Sequence, residues 1–410
     1  EDVTDKKLIE ASLNGMLTSL DPHSSYLNEE DYKYMNEQTS GKFGGLGIEI
    51  TMENGVVKVV SPIDDTPATK AGIKAGDYIT DIDGETVIGL TLNEVVSKLR
   101  GKIGTKVQVT ISRDKKKPFT VTMIRDEIKI QAAKSDVKND DILYIRISSF
   151  NEDLDRDVEK AFNNAKKDLK GKLAGIVIDV RNNPGGLLDQ AVKVSDLFLE
   201  QGEIVSTRSR NEEDTIKYSA TPGDIAAGLP IVVLINEGTA SAAEILSGAL
   251  QDHHRAVILG QKSFGKGSVQ TVLPLRNKGA MRITTARYYT PSGRSIQAKG
   301  IEPDVVVKQA KIEEFDDDWN LSEANLKGAL KNEQIKEEKS KTKDGKDDKK
   351  EAEKKDYQLT RALDLVKALY LYGQNDNKIV EDAKSATEAA NDNEKAAADD
   401  KASDNTESKK

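Results

Sequence analysis

The chain has 410 residues, a net charge of −9 and no cysteine. That acidic balance argues against general nucleic-acid binding, which runs on basic patches, and the missing thiols exclude disulfides, thiolate nucleophiles and cysteine-held zinc. No apolar run reaches about 18 residues, so no stretch reads as a membrane span. The length allows two or three domains, each with its own core. Glu1 stands where an initiator Met would, so the chain reads as a processed form with its export signal gone, and the absence of Cys suits an oxidising compartment.

Residues 1 to about 38 read as helix. Leu8, Ile9, Leu13, Met16, Leu17 and Leu20 recur at helical spacing, and Asp21-Pro22 stops the run. So short a piece cannot bury its stripe alone, so it is expected to pack on the rest of the chain or on a second subunit. From Gly41 to about Asp126 short strands alternate with glycine turns: Gly44-Gly45-Leu46-Gly47 before Ile48-Glu49-Ile50, then Val56 to Val60, Ala71-Gly72-Ile73, Gly76-Asp77-Tyr78-Ile79 and Ile82-Asp83-Gly84. Leu92, Val95, Val96 and Leu99 then mark one helical face. This order resembles a PDZ domain of the bacterial protease type. Its physics fits: glycine-rich backbone N–H groups can hold a terminal carboxylate, and the adjoining strand edge can add an extended peptide.

From about Ile128 to Gln309 strand and helix alternate, the pattern of an α/β core. Strands are expected at Ile142–Ile147, Ile176–Val180, Ile231–Ile235, Ala256–Leu259, Ser268–Leu275 and Arg282–Tyr289, and helices at Leu154–Leu169, Leu187–Leu199 and Ala240–Gln251. Beyond Asp316 order is expected to fade, because Glu337 to Lys355 is almost all Lys, Glu and Asp. Leu359, Ala362, Leu363, Val366, Leu369 and Tyr370 make one more amphipathic helix, expected to dock back or to pair subunits, and the residues from about Asn375 read as a disordered tail.

The chemistry concentrates between Asn236 and Gln270. The apolar run Ile231–Ile235 breaks at Asn236-Glu237-Gly238-Thr239, and Ser241 falls where the strand turns into a helix. Such a turn lifts a hydroxyl clear of a sheet, beside free N–H groups that can bind an oxyanion; a plain helix cap is the competing account. Only three histidines are available as base. His253 and His254 lie 12 and 13 residues beyond Ser241 along the same predicted helix, roughly 18 Å away at helical rise. His23 sits in a Pro-marked turn and reads as a surface or packing residue. Lys266, between two glycines and two strands, is the next candidate, since desolvation can leave a lysine amine neutral. Gly260 to Lys266 also spells G-x-x-x-x-G-K, but Gly267 replaces the magnesium-holding Ser or Thr and a strand follows, so nucleotide binding is set aside.

These residues resemble the carboxyl-terminal processing peptidases, or tail-specific proteases, over roughly residues 1 to 310. The motifs that carry the resemblance are Leu20-Asp21-Pro22-His23-Ser24-Ser25-Tyr26, the PDZ signals, Arg181-Asn182-Asn183-Pro184-Gly185-Gly186, Gly238-Thr239-Ala240-Ser241-Ala242-Ala243-Glu244 and Gly265-Lys266-Gly267-Ser268-Val269-Gln270. The resemblance implies a crotonase-like (ClpP/crotonase) α/β protease core with an inserted PDZ domain and helical N- and C-terminal segments. Together with the composition of the C-terminal part, which lies outside the resemblance, this divides the chain into a helical segment (1–40), the PDZ domain (41–126), the core (127–310), a charged linker with a C-terminal helix (311–373) and a disordered tail (374–410). It further implies Ser241 as nucleophile, Lys266 as general base and Gln270 as the residue orienting the lysine. As i and i+4 of an extended strand, Lys266 and Gln270 would share a face. Ala242 and either Gly185 or Gly186 would form the oxyanion hole, and Gly44, Gly45, Leu46, Gly47 and Ile48 would bind the peptide. Glu244 stands either as support for the site or as a first-turn helix acid, and Arg100 either as a coupling residue between the PDZ domain and the catalytic site or as a surface ion pair. The implied partners are proteins or peptides with apolar C-termini, an adaptor protein and a second subunit in a homodimer, without a metal or nucleotide cofactor, in the periplasm or cell envelope. A catalytically silent PDZ scaffold and a crotonase-type acyl-CoA enzyme are the alternatives.

Overall fold

The computed structural model describes residues 3–53, 55–63, 65–113, 117–276, 279–311 and 356–373. The charged linker and the tail expected from sequence lie outside the described residues.

The part of the chain from Ala133 to Val306 is built on a six-stranded sheet. Ala133–Lys138 forms an antiparallel edge, and Ile142–Ile147, Gly175–Asp179, Ile231–Ile235, Val257–Gly260 and Val305–Val306 follow in parallel. Gly175–Asp179 and Ile231–Ile235 are buried at every residue, which is why they read as continuous apolar runs rather than as alternation. Helices Leu154–Asp168, Leu188–Asp196 and Ala242–Asp252 cover one face, sealing the largest core cluster. The opposite face is closed by a helix over 357–373, whose Ala362, Leu363 and Val366 pack on Ile142, Val177, Val232 and Leu234. Burying each such Leu or Val is worth about 1.5–3 kcal/mol. That helix is fastened at its start by Arg181, which donates to Asp356 and to Gln358, so its amphipathic stripe docks back on the sheet as expected.

A second, antiparallel sheet runs in the order Ser25–Leu27, Ala280–Tyr289, Glu203–Arg208, Ile216–Ser219, with Ser268–Pro274 also pairing with Ala280–Tyr289. Sequence reasoning passes over Glu203–Arg208 because Ile204 to Thr207 are all buried and no period of two is visible. This sheet places the N-terminal segment beside the strand that follows Lys266.

The PDZ domain holds a sheet in the order Ile48–Glu53, Val56–Pro62, Tyr78–Ile82, Lys106–Ser112, Phe119–Ile124. Its helix Leu92–Leu99 begins at a capping box, in which the Thr91 N–H donates to Glu94 Oε2 at 2.7 Å and the Glu94 N–H to Thr91 Oγ1 at 3.4 Å. A two-stranded ribbon, Lys42–Gly45 with Asp126–Lys129, carries the chain in and out. The first helix is Asp5–Thr18, and its Leu8, Ile9 and Met16 stay exposed. Among the described residues nothing covers those three side chains.

Candidate active site

Parallel strands deliver their following loops to one edge of the sheet, where open α/β folds place their sites. Two of those loops are laced together here. Asn236 Oδ1 accepts from the Asn182 N–H at 2.8 Å, and Asn236 Nδ2 donates to Asn182 Oδ1 at 2.9 Å. Thr239 Oγ1 donates to the Val180 carbonyl at 2.8 Å and the Ala240 N–H to the Asn183 carbonyl at 2.9 Å. The asparagines and the threonine of the two motifs thus hold the loop after Gly175–Asp179 against the loop after Ile231–Ile235.

Ser241 lies at the end of that lacing. Its φ of 54° and ψ of −117° fall where a residue with a Cβ is strained, the conformation of a sharp strand-to-helix elbow. The helix therefore begins at Ala242, two residues later than the sequence pattern indicates. The strain is held by Glu244, fully buried one turn along. Its Oε2 accepts from the Ser241 N–H at 2.8 Å and from the Lys266 N–H at 2.9 Å; its Oε1 accepts from Ser263 Oγ at 2.5 Å and from the Gly265 N–H at 2.7 Å. Burial pushes the Glu244 carboxyl up, against the pull of those four donors. Ser241 and Lys266 are 25 positions apart in sequence, yet their backbone nitrogens share one carboxylate oxygen and lie no more than about 5.7 Å apart, the sum of the two bond lengths.

Lys266 is largely desolvated. Burial drives its amine below the ordinary lysine range, the charge of Arg282 adds to this, and Glu244 opposes it. Among the described residues Lys266 Nζ has no hydrogen-bond partner. It is therefore not joined to Ser241 Oγ in this arrangement.

The two glycines of the Arg181–Gly186 loop differ. A Cβ on Gly185 would meet Ala240 O and Ser241 Cβ at 2.8 Å and Ala242 N at 2.9 Å, so its bare backbone is what lets the loop approach the nucleophile. Its N–H, however, already donates to Asn183 Oδ1 at 2.8 Å. The N–H groups of Gly186 and Ala242 have no acceptor among the described residues.

Between Lys266 and Gln270 the strand is not regular. The strand starts only at Ser268, after Lys266, and its register shifts between Val269 and Gln270, so simple alternation does not carry the two to one face. The Gln270 amide instead donates to Ser268 Oγ at 2.9 Å and to Thr284 Oγ1 at 3.3 Å. His253 and His254 are indeed remote from the chemistry; His253 Nε2 bonds the Glu203 carbonyl at 2.7 Å. His23 is half-buried in its turn; burial lowers its pKa, and the charge of Lys266 lowers it further. Arg282, Ser263 and Thr284 escape sequence reasoning: sheet pairing brings in Arg282 and Thr284, and the loop before Lys266 brings Ser263 to Glu244.

In the PDZ domain a groove of about 190 Å³ runs between the free edge of Ile48–Glu53 and helix Leu92–Leu99, lined by Leu46, Gly47, Ile48, Ile50, Val96 and Leu99. The N–H groups of Leu46 and Gly47 have no acceptor among the described residues. Gly44 and Gly45 pair with Glu127 and Asp126 in the ribbon, and Gly45 also lines the groove. Arg100, at the end of the helix, stacks 4.0 Å from the Phe43 ring and donates to Glu37 Oε2 at 3.2 Å.

The profile of peptidase family S41 matches residues 141–307, and that of the PDZ domain matches residues 44–123. A carboxy-terminal-processing protease of Bartonella bacilliformis is 54% identical over 333 residues, covering 80% of this chain and 76% of its own length. The carboxy-terminal processing protease CtpA of Bacillus subtilis is 36% identical over 73% of this chain, which spans 64% of that relative. Among solved structures, a photosystem II D1 C-terminal processing protease shares 32% identity over 75% of this chain and 84% of its own, with a TM-score of 0.46. No helix among the described residues is long and apolar enough to cross a membrane. An elbow serine beside a desolvated lysine, a PDZ domain ahead of them, and relatives this similar over most of the chain lead to one conclusion: the chain belongs to peptidase family S41, among the PDZ-bearing serine proteases of carboxy-terminal processing.

Proposed function

We propose that this protease cleaves proteins near their C-terminal tails through a Ser241–Lys266 dyad, with the PDZ groove holding the tail. The observation that carries the reading is the shared Glu244 oxygen, which keeps the two backbones within about 5.7 Å, inside the reach of a lysine side chain. A neutral Lys266 amine takes the proton from Ser241 Oγ as it attacks the scissile carbonyl. The Ala242 and Gly186 N–H groups receive the oxyanion; Gly186 is preferred to Gly185, whose N–H is already engaged. Lys266 then protonates the leaving amine, and a water it activates releases the acyl group. Closing the dyad takes rotation of side chains over a fixed backbone.

The edge strand Ile48–Glu53 and the unengaged N–H groups of Leu46 and Gly47 support capture of an extended peptide with an apolar C-terminus. Arg100, touching both the groove and Glu37, is the proposed link between an occupied groove and the rest of the molecule. The division at residues 40, 126 and 310, a crotonase-like core, a periplasmic or envelope location, an adaptor and a homodimer belong to the same reading; the uncovered Leu8, Ile9 and Met16 favour the dimer. The test is hydrolysis of a tailed protein by Ser241→Ala and Lys266→Ala variants. Each is expected to lose at least about 10³-fold in kcat while unfolding as the wild type does. A Ser241→Ala protein that still cleaves sinks the proposal.

A further inference from the structure

The turn Asp21–Ser24 lies far from the nucleophile in sequence, yet it is tied into the strand pair behind Lys266. Asp21 Oδ1 accepts from the His23 N–H at 2.8 Å, the Ser24 N–H at 3.0 Å and Thr284 Oγ1 at 3.0 Å. Asp21 Oδ2 accepts from Ser24 Oγ at 2.6 Å, and Ser24 Oγ, fully buried, accepts from the Thr284 N–H at 3.1 Å. Thr284 is the direct cross-strand partner of Gln270, and its Oγ1 accepts from Gln270 Nε2 at 3.3 Å.

The direction of these bonds is forced. An ionised carboxylate can only accept, so the single proton of the Thr284 hydroxyl must point at Asp21. The hydroxyl oxygen then has only lone pairs to offer, and Gln270 must meet it with its NH₂ group. That fixes the amide: Nε2 is turned to Thr284 and Ser268, and Oε1 is left as an acceptor. Burial pushes the Asp21 carboxyl up, but the Ser24 hydroxyl, the His23 N–H and the Thr284 hydroxyl outweigh it and hold it below the usual carboxylate range. The chain of polarity therefore persists at neutral pH.

We propose that Asp21 and Thr284 are positioning residues which set the orientation of the Gln270 amide, so that its NH₂ is held on Thr284 and Ser268 and its carbonyl oxygen is the end left to accept from the Lys266 amine when the dyad closes. The N-terminal turn is then a working part of the catalytic site rather than a connector. The charged and titratable groups around the relay are His23 on the turn, Arg282 on the strand of Thr284, Lys266 on the facing loop and Glu244 in the first turn of the helix after Ser241. The inference rests on the dyad reading above.

The experiment compares Thr284→Val, Thr284→Ser, Gln270→Ala and the Thr284→Val/Gln270→Ala double variant on one tailed peptide across pH. Valine keeps the shape and the backbone bond to Ser24 but removes the directing hydroxyl. Thr284→Val is expected to lose about 10-fold in kcat with KM within about twofold. A misturned NH₂ disfavours the lysine ammonium, so the lysine-controlled acid limb should move to lower pH. Thr284→Ser should restore both, and on the Gln270→Ala background Thr284→Val should add less than about twofold. Wild-type turnover in Thr284→Val, an undiminished loss on the Gln270→Ala background, or a serine variant as impaired as the valine one each overturn the inference. Should Thr284→Val not fold, Asp21→Asn, which can donate as well as accept, takes its place: a comparable loss that vanishes on the Gln270→Ala background supports the inference, and wild-type turnover overturns it. Ser241→Ala and Lys266→Ala serve as controls: activity in either breaks the dyad reading, whereas inactive controls beside an unaffected Thr284→Val break this inference alone.

Discussion

The two working regions of this protease solve opposite problems. Around Ser241 nearly every backbone group is engaged: the elbow is held by Glu244, the loops by Asn182, Asn183, Asn236 and Thr239, and the glycines by close backbone approach. Along the PDZ groove the pattern reverses. A strand edge, two N–H groups and an apolar lining are left without partners among the described residues. The catalytic region is strained and over-determined, as preorganised chemistry requires. The recognition region keeps its hydrogen-bonding capacity for a strand that arrives from outside.

The largest effect should come from disturbing the engaged region at its centre. Glu244→Gln keeps the shape but turns an NH₂ toward donors, leaving at least one buried N–H or O–H without an acceptor, at a cost of about 1–3 kcal/mol. Because the same carboxylate oxygen holds the nucleophile and the lysine, kcat should fall by about 10²-fold or more, beyond what lost stability explains. Normal turnover by this variant would mean the elbow is held by something else. On the recognition side, Val96→Asp places a carboxylate in the apolar groove. It should raise KM for a tailed substrate by about 10-fold and leave cleavage of a short untailed ester unchanged. Equal damage to both substrates would erase the contrast between the regions.

The lysine sharpens the comparison through pH. Activity needs the neutral amine, so kcat/KM should rise with pH through a limb below the usual lysine value of about 10.4, because burial and Arg282 depress it. The same depression acts on stability. Between the folded and unfolded pKa the unfolded chain binds more protons, so the lysine's effect on stability becomes more favourable as pH rises across that window, and below it the buried ammonium is a burden. Lys266→Met should therefore abolish turnover yet raise Tm at neutral pH by on the order of a few degrees. Calorimetry showing a lower Tm would count against desolvation as the main cause.

Sequence legibility follows the same divide. Residues in a local pattern are readable: the buried runs Gly175–Asp179 and Ile231–Ile235, the serine after a strand, the PDZ helix face, the glycine-flanked lysine. Contacts made by sheet pairing are not. Thr284 meets Gln270 and Asp21 only because Ala280–Tyr289 lies between Ser268–Pro274 and Ser25–Leu27, and no window of the sequence contains all three. The path from Lys266 to Gln270 runs through a bulge, which period-two reasoning does not anticipate. Glu244 looks like an ordinary first-turn acid because three of its four donors belong to a loop 19 to 22 residues further on.

The smallest effect, and the most diagnostic of how the regions communicate, belongs to Arg100. Its bond to Glu37 at 3.2 Å and its stacking on Phe43 are both partly solvent-exposed, so removing the ion pair with Glu37→Gln should cost less than about 1 kcal/mol of stability. If the pair only decorates the surface, nothing else should change. If it links groove and core, Glu37→Gln and Arg100→Ala should alter how strongly an added tail peptide stimulates or slows cleavage of a short ester, by about threefold, with the basal ester rate held. A linkage of that size falls below the 1–3 kcal/mol range of ordinary site coupling, and it can only arise if tail binding changes what Arg100 touches, since equal contacts in both states shift nothing. The double variant decides between the accounts: residues acting through one bond give no more change together than either gives alone, whereas two independent surface charges add.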